Sequence, residues 1–257
     1  MQKFCYKLIT ILTNILGPKK AKNLLWNILE REMRKTYPRV GGGGEYSCWG
    51  QISENFITHT IIDVGANIGN LSYYYLQTFS GAKVYSVEPI KEFFDKIDDS
   101  KLSKFNLALS NKKKTLTLFQ SGGGSKPFPK STKGKKTGTF NVPAMTGDDF
   151  VKEFNIDKVD IIKIDVDGFD FEVIQGFKEV IINDNPYIQF ELSKWWLKLG
   201  YTLKQAQTFF EDLDYDLYHM TDDGFKELNN ILPDSLFVTM NIFAKPKGVV
   251  LKNFNKV

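Results

Sequence analysis

Long hydrophobic runs are scarce in this 257-residue chain. The most apolar stretch near its start, Phe4 to Leu16, is interrupted by Lys7, Thr10, Thr13 and Asn14. It falls well short of the roughly 20 apolar residues that cross a bilayer as a helix. No membrane-spanning segment is expected. Gly17-Pro18-Lys19-Lys20 follows where a secretory signal would carry a small-residue cleavage site, so the expected location is cytoplasmic. Cysteine is equally rare. Cys5 and Cys48 stand far apart without metal-ligand spacing, as two reduced thiols would in a reducing compartment. Histidine occurs only as His59 and His219, which leaves the usual neutral-pH base in short supply. Two nucleotide-binding spellings are also missing: neither the G-x-G-x-x-G of dinucleotide folds nor the G-x-x-x-x-G-K-[ST] of a P-loop occurs.

What is present suffices for one large core, since 42% of the residues are hydrophobic. The charge is unevenly spread. Residues 1–39 carry nine Lys/Arg against two acids, and residues 101–139 carry ten Lys and no acid, within a chain whose net charge is only +4. Such segments either meet something anionic or are solvated loops.

Residues 4–35 place Phe4, Leu8, Ile11, Leu12, Ile15 and Leu16, then Leu24, Leu25, Ile28 and Leu29, at helical spacing, split by Gly17-Pro18. This predicts an N-terminal extension of two amphipathic helices over residues 1–44, closed by the flexible joint Gly41 to Gly44. These helices can cover the domain, pair with another subunit, or lie peripherally on the inner face of a membrane. From residue 45 on, a second unit is expected. Strands at Thr60 to Val64, Lys83 to Val87, Phe105 to Leu109, Val159 to Ile164 and Tyr187 to Leu192 alternate with helices at Gly69 to Phe79, Lys91 to Ile97, Phe169 to Ile182 and Leu203 to Leu213. Tyr215 to His219 and Leu236 to Phe243 close the sheet. The alternation predicts an α/β, doubly wound fold with a mostly parallel, seven-stranded sheet. A Lys/Gly-rich insertion, residues 120–139, interrupts it; a loop this long is a lid, a binding loop or a disordered insertion.

Ligands of such sheets sit beyond the carboxyl ends of the strands. At the end of the first strand, Asp63-Val64-Gly65-Ala66-Asn67-Ile68-Gly69 offers glycines for a tight turn and a helix N-terminus for the ligand. Asp63 repels a pyrophosphate but suits the ammonium of a methionine moiety, which favours S-adenosylmethionine over NAD. Glu88, nineteen residues after Gly69, can accept hydrogen bonds from both ribose hydroxyls. The plainer alternative is that Asp63 caps the next helix and Glu88 is a turn residue before Pro89.

A second acidic strand end runs Ile164-Asp165-Val166-Asp167-Gly168-Phe169-Asp170. Asp165 and Asp167 point the same way if the chain stays extended, so that one could hold the cofactor ammonium and the other act on the acceptor or a metal. Asp167 and Asp170 could equally serve as helix caps. Glu191 ends the next strand, and His219 is the histidine better placed to face the site.

Together these segments resemble the FkbM family of S-adenosylmethionine-dependent methyltransferases. The resemblance spans about residues 56–243 and rests on the Asp63 to Gly69 loop, Val87-Glu88-Pro89, Asn106-Leu107-Ala108-Leu109, Asp148-Asp149-Phe150, Lys163 to Gly168, and Pro186 to Glu191. The family pattern usually has Glu where Asp167 and Asp170 stand and Leu where Gly147 stands. The resemblance implies a Rossmann-like class I methyltransferase fold. It also implies a cofactor site built by Asp63, Gly65, Ala66, Asn67, Gly69, Asn70, Glu88, Pro89, Asn106, Ala108 and Asp165. The expected reaction is O-methylation of a hydroxyl on a sugar, glycan or related metabolite, with Asp165, Asp167, Glu191 and His219 as the candidate catalytic residues. Asp165 and Asp167 would suit Mg²⁺ if a divalent metal acidifies that hydroxyl. The basic insertion, Lys126 to Lys136 in particular, would dock an anionic or sugar-containing acceptor. Two other readings are a methyltransferase acting on nucleic acid or protein, and a non-catalytic binding protein that retains the fold. Nucleic acid is the less expected substrate, since only Phe128 and Phe140 flank the basic stretch. An oligomer is compatible with the sequence.

Overall fold

The computed structural model describes residues 43–57, 60–98, 100–121, 124–126, 139–193, 195–228 and 239–256. The residues of the two expected N-terminal helices, His59 and residues 127–138 of the basic insertion lie outside the described residues. The central sheet is built from runs of β-branched apolar residues. Strands β1 (Thr60–Val64) and β8 (Ile161–Ile164) are buried along their whole length, the pattern of strands covered on both faces. Around them stand β2 (Lys83–Val87), β3 (Ser103–Phe105), β9 (Tyr187–Leu192), β10 (Tyr215–Thr221), β11 (Gly224–Glu227) and β12 (Met240–Pro246). The order across the sheet is β11-β10-β12-β9-β8-β1-β2-β3. Pairing is parallel from β9 to β3 and antiparallel from β9 through β12 and β10 to β11. Among the described residues the sheet has eight strands where seven were expected. The eighth, β11, is a short hairpin return pairing Thr221 with Gly224.

Alternating residues feed two cores. Ile62, Val64, Ile162 and Ile164 join Phe150, Phe177 and Phe210 on one face, whereas Ile61 and Ile161 join Trp49, Tyr75 and Phe243 on the other. Each face is therefore covered, and the fold is doubly wound α/β. Helix α1 (Gly43–Ile52) takes in the end of the glycine run, so Gly43 and Gly44 form a first helical turn. Its Cys48, Trp49 and Ile52 are wholly buried, and the Trp49 ring meets Tyr75, Phe79 and Phe243 edge-on. Helix α2 (Asn70–Thr78) and the short α3 (Lys91–Phe94) follow β1 and β2.

The expected strand Phe105 to Leu109 is two strands in different sheets. After β3 the chain turns at Asn106-Leu107 into β4 (Ala108–Ser110), which belongs to a four-stranded sheet with β5 (Lys114–Ser121), β6 (Gly124–Lys126) and β7 (Thr139–Thr146), in the order β4-β7-β5-β6. Its apolar side holds Leu116, Leu118, Val142 and Ala144, with Phe169 packed against them. The predicted helix Phe169 to Ile182 likewise divides, into α5 (Asp170–Gly176) and α6 (Lys178–Asp184), after α4 (Gly147–Glu153). Both oxygens of the Asp148 carboxylate cap α6, accepting from Glu179 N and Val180 N. Gly147 leaves room for Phe177, whose ring atoms would lie 2.3 Å from a Cβ. The remaining helices are α7 (Trp195–Leu199) and α8 (Leu203–Asp212). Among the described residues no helix is long and apolar enough to cross a membrane.

Candidate cofactor and methyl-transfer site

From β1 the chain runs on to β2 and β3 on one side; β8 and β9 lie on the other. At this switch point the carboxyl ends of β1, β2, β8 and β9 border one cavity of about 480 Å³, within the usual range for small-ligand sites. Gly65 begins the turn after β1 with φ +77°. A Cβ there would stand 1.9 Å from the Asp165 carbonyl oxygen, so only glycine lets the two strand ends approach this closely. Gly65 N and Ala66 N both donate to Val87 O, which locks the loop to β2.

Glu88 holds the other side of that loop. Its carboxylate accepts Asn67 N at 2.9 Å and Ile90 N at 2.8 Å. Burial pushes its pKa up to about 7 against the pull of these two hydrogen bonds. Asn106 does not line the cavity; its side-chain amide donates to Glu88 O and Pro89 O and so braces the backbone behind the acid.

Asp63 has a different place from the one expected. It is fully buried and is not part of the cavity wall. Ser72 Oγ donates to it at 2.5 Å, and Lys163 Nζ lies 3.1 Å away. The register explains this, because Asp63 and Lys163 are direct partners between β1 and β8. The carboxylate therefore faces an internal cation, Lys163, rather than the open cavity. Gly69, which opens α2 with φ +87°, also lies off the cavity wall. Lys163 itself reaches the wall, donating to Gly65 O at 3.2 Å with Asp165 3.9 Å away. Burial alone would depress its pKa, but Asp63, Asp165 and Glu45 outweigh that and hold it above the ordinary lysine range.

Beyond Ile164 the backbone does not stay extended. Asp167 adopts φ +56°, so the expected alternation of Asp165 and Asp167 is broken by a turn, although both side chains line the cavity. Asp170 closes that turn from within, accepting Val166 N at 3.2 Å and Gly168 N at 2.9 Å. It is fully buried, and burial, with Asp165 nearby, lifts it to about 7. It is the first residue of α5 and holds the turn before that helix; the expected helix cap is not formed, since the N-cap position is Phe169 and carries no side-chain cap.

Glu191 faces the cavity from β9. Burial, then Asp165, Asp170 and Asp167, raise its pKa to about 9 against the pull of Lys163. His219 is elsewhere. It is buried on β10, separated from β9 by β12, and is not on the cavity wall. Burial, with Lys226 adding to it, lowers it to about 4. No group of three or more His, Cys, Asp or Glu side chains able to hold a metal occurs among the described residues, so Asp165 and Asp167 find no third ligand of that kind.

Of the expected cofactor residues, Gly65, Ala66, Asn67, Asn70, Glu88, Pro89, Ala108 and Asp165 border the cavity. Sequence reasoning missed Glu45 and Tyr46 from α1, Lys163, and Leu116 and Leu118 from the second sheet. A signal for Lys163 was available: Ile61-Ile62-Asp63-Val64 and Ile161-Ile162-Lys163-Ile164 are apolar strands with opposite charges at the same position. A charge in such a strand needs a partner.

No curated protein matches this chain. Among solved structures, methyltransferase FkbM from Methylobacillus flagellatus KT is 14% identical, with 73% of this chain aligned to 43% of that one at a TM-score of 0.48. This chain therefore spans less than half of that protein's length. A precorrin-6y C5,15-methyltransferase from Geobacter metallireducens GS-15 is 11% identical over 79% of this chain and 88% of its own, with a TM-score of 0.43. The plantazolicin methyltransferase BpumL, solved with a pentazolic desmethylPZN analog and SAH, is 10% identical over 96% of this chain and 100% of its own, with a TM-score of 0.46. A sequence model of the methyltransferase FkbM domain matches residues 63–217, more than half of the chain, and the protein belongs to that methyltransferase family.

Proposed function

We propose that this protein is an S-adenosylmethionine-dependent O-methyltransferase whose acceptor is a hydroxyl on a sugar, glycan or related metabolite. One observation carries the reading: Gly65, Glu88, Asp165 and Glu191, from four adjacent strand ends, border a single cavity. The donor set suits the cofactor. Glu88 would accept from the ribose hydroxyls, Ile90, Phe93 and Leu107 would supply apolar walls for the adenine, and Asp165 would add negative charge for a cationic ligand. When bound, the cofactor supplies an electrophilic methyl group. The chain's own task is to align the acceptor and remove its proton.

Glu191 is the group suited to that removal once ionised: it faces the cavity from β9, and burial and the neighbouring aspartates make its carboxylate a stronger base than an ordinary one. Lys126 to Lys136, the expected docking segment for an anionic acceptor, lie almost wholly outside the described residues. Thermal-shift titration with S-adenosylmethionine and NAD tests the donor: stabilisation by the former alone is expected, and no shift with it sinks the reading. Labelled methyl transfer onto sugar precursors, with and without EDTA, tests the acceptor and any need for metal. Label appearing only on nucleic acid or protein would move the acceptor class to those polymers.

A further inference from the structure

Among the described residues five carboxylates line the cavity, and of these Glu45 alone comes from outside residues 63–217. It stands in the first turn of α1. The core holds it there: Trp49 Nε1 donates to Gln189 Oε1 at 2.5 Å, the Gln189 amide donates to Glu45 Oε2, and Asn241 Nδ2 reaches the same oxygen at 3.4 Å. Gln189 and Trp49 are buried, so this chain of donors fixes the carboxylate from behind. Burying a carboxylate is costly unless something compensates it. Lys163 supplies part of that compensation, and Glu45 in turn contributes to holding the Lys163 proton.

The wall beside the Gly65 turn thus presents two acids, Glu45 and Asp165, and one ammonium, Lys163. An α-amino acid end, with one ammonium and one carboxylate, is the ligand chemistry that needs both signs in one place. Asp63, which the sequence suggested for the ammonium, lies off the cavity wall, 3.1 Å from Lys163.

We propose that Glu45 is a cofactor-binding residue which, with Asp165, receives the α-ammonium of the cofactor's amino-acid end, while Lys163 meets its carboxylate. The assignment rests on the S-adenosylmethionine reading above and makes α1 part of the cofactor site. Titration calorimetry on the full chain tests it with two ligands: S-adenosylhomocysteine, and 5′-methylthioadenosine, which keeps the nucleoside and thioether but has no amino-acid end. Glu45→Gln should weaken S-adenosylhomocysteine about tenfold and leave methylthioadenosine unchanged, and Glu45→Asp should recover part of the loss. Because Glu45 also braces Gln189, a ligand-side arm accompanies the variants. Removing the α-amino group of S-adenosylhomocysteine should weaken wild-type binding by a similar factor and make no further difference in E45Q. Equal weakening of both ligands in E45Q, or of neither, overturns the role of Glu45 alone. A wild-type protein that binds neither ligand overturns the cofactor reading and this assignment with it.

Discussion

Lys163 Nζ lies 3.1 Å from the Asp63 carboxylate across directly paired positions of β1 and β8; Asp63 is fully buried and Lys163 is open only where it touches the cavity wall. The pair joins the two central strands at the switch point and carries the backbone of the Gly65 turn through the bond to Gly65 O. Each charge depends on the other. Lys163→Met should cost about 3–5 kcal/mol, because it strands a buried carboxylate. Adding Asp63→Asn should return part of that loss. Urea denaturation of the two single variants and the double variant measures the coupling, and additive effects would show the pair to be independent.

Glu88 should make binding of the proposed cofactor depend on pH. Its pKa is raised from an ordinary 4.5 to about 7, so the folded protein retains a proton there that the unfolded chain has lost. Its contribution to stability is present below pH 4.5 and fades as the pH rises through 7. Ribose hydroxyls donate to the ionised form, so affinity for S-adenosylhomocysteine should rise over the same interval. Glu88→Gln should bind more weakly at neutral pH and show a flat profile in calorimetry.

Glu191 should dominate the pH dependence of turnover. Its carboxyl is held above the ordinary range by burial and by Asp165, Asp170 and Asp167. With Glu191 as the proton acceptor, kcat/KM should climb with pH toward about 9. Glu191→Gln should lower kcat by about a hundredfold to ten-thousandfold and leave cofactor affinity nearly unchanged. Asp167→Asn, which removes one repelling charge, should move the limb to lower pH.

Gly65→Ala tests the approach of the two strand ends. A left-handed φ costs a residue with a side chain about 1–2 kcal/mol, and here the added Cβ also meets the Asp165 carbonyl oxygen at 1.9 Å. The variant should melt lower than wild type and lose most of its affinity for S-adenosylhomocysteine. Gly81→Ala is the control: it has the same sign of φ with nothing within 4 Å, so it should keep its affinity.

Local signals were sufficient for much of the site. The strand Tyr187–Leu192 lies where the sequence predicted it, and the turn after β1 follows from Gly65, where a Cβ would collide with the Asp165 carbonyl oxygen. Glu88, Asp165 and Glu191 each end a strand, so once the strands were read their side chains were bound to gather at one edge of the sheet. Asn106 and His219 were misplaced for a related reason. A polar residue next to a strand end carries no mark of which way it faces, and only the turn into β4 and the intervening β12 removed these two from the cavity.

The sequence by itself determined the strand–helix alternation of the parallel part of the sheet, the glycine turn and the acids at the strand ends, because these follow from periodicity and from backbone sterics acting within a few residues. Tertiary structure alone decided which charges neutralise one another and which remain open to a ligand. Asp63 and Lys163 are 100 positions apart in the chain yet one strand spacing apart in the sheet. Glu45 reaches the cavity because Trp49 is buried against Tyr75, Phe79 and Phe243. Coulomb energy and desolvation depend on distance in space, which residue spacing does not encode.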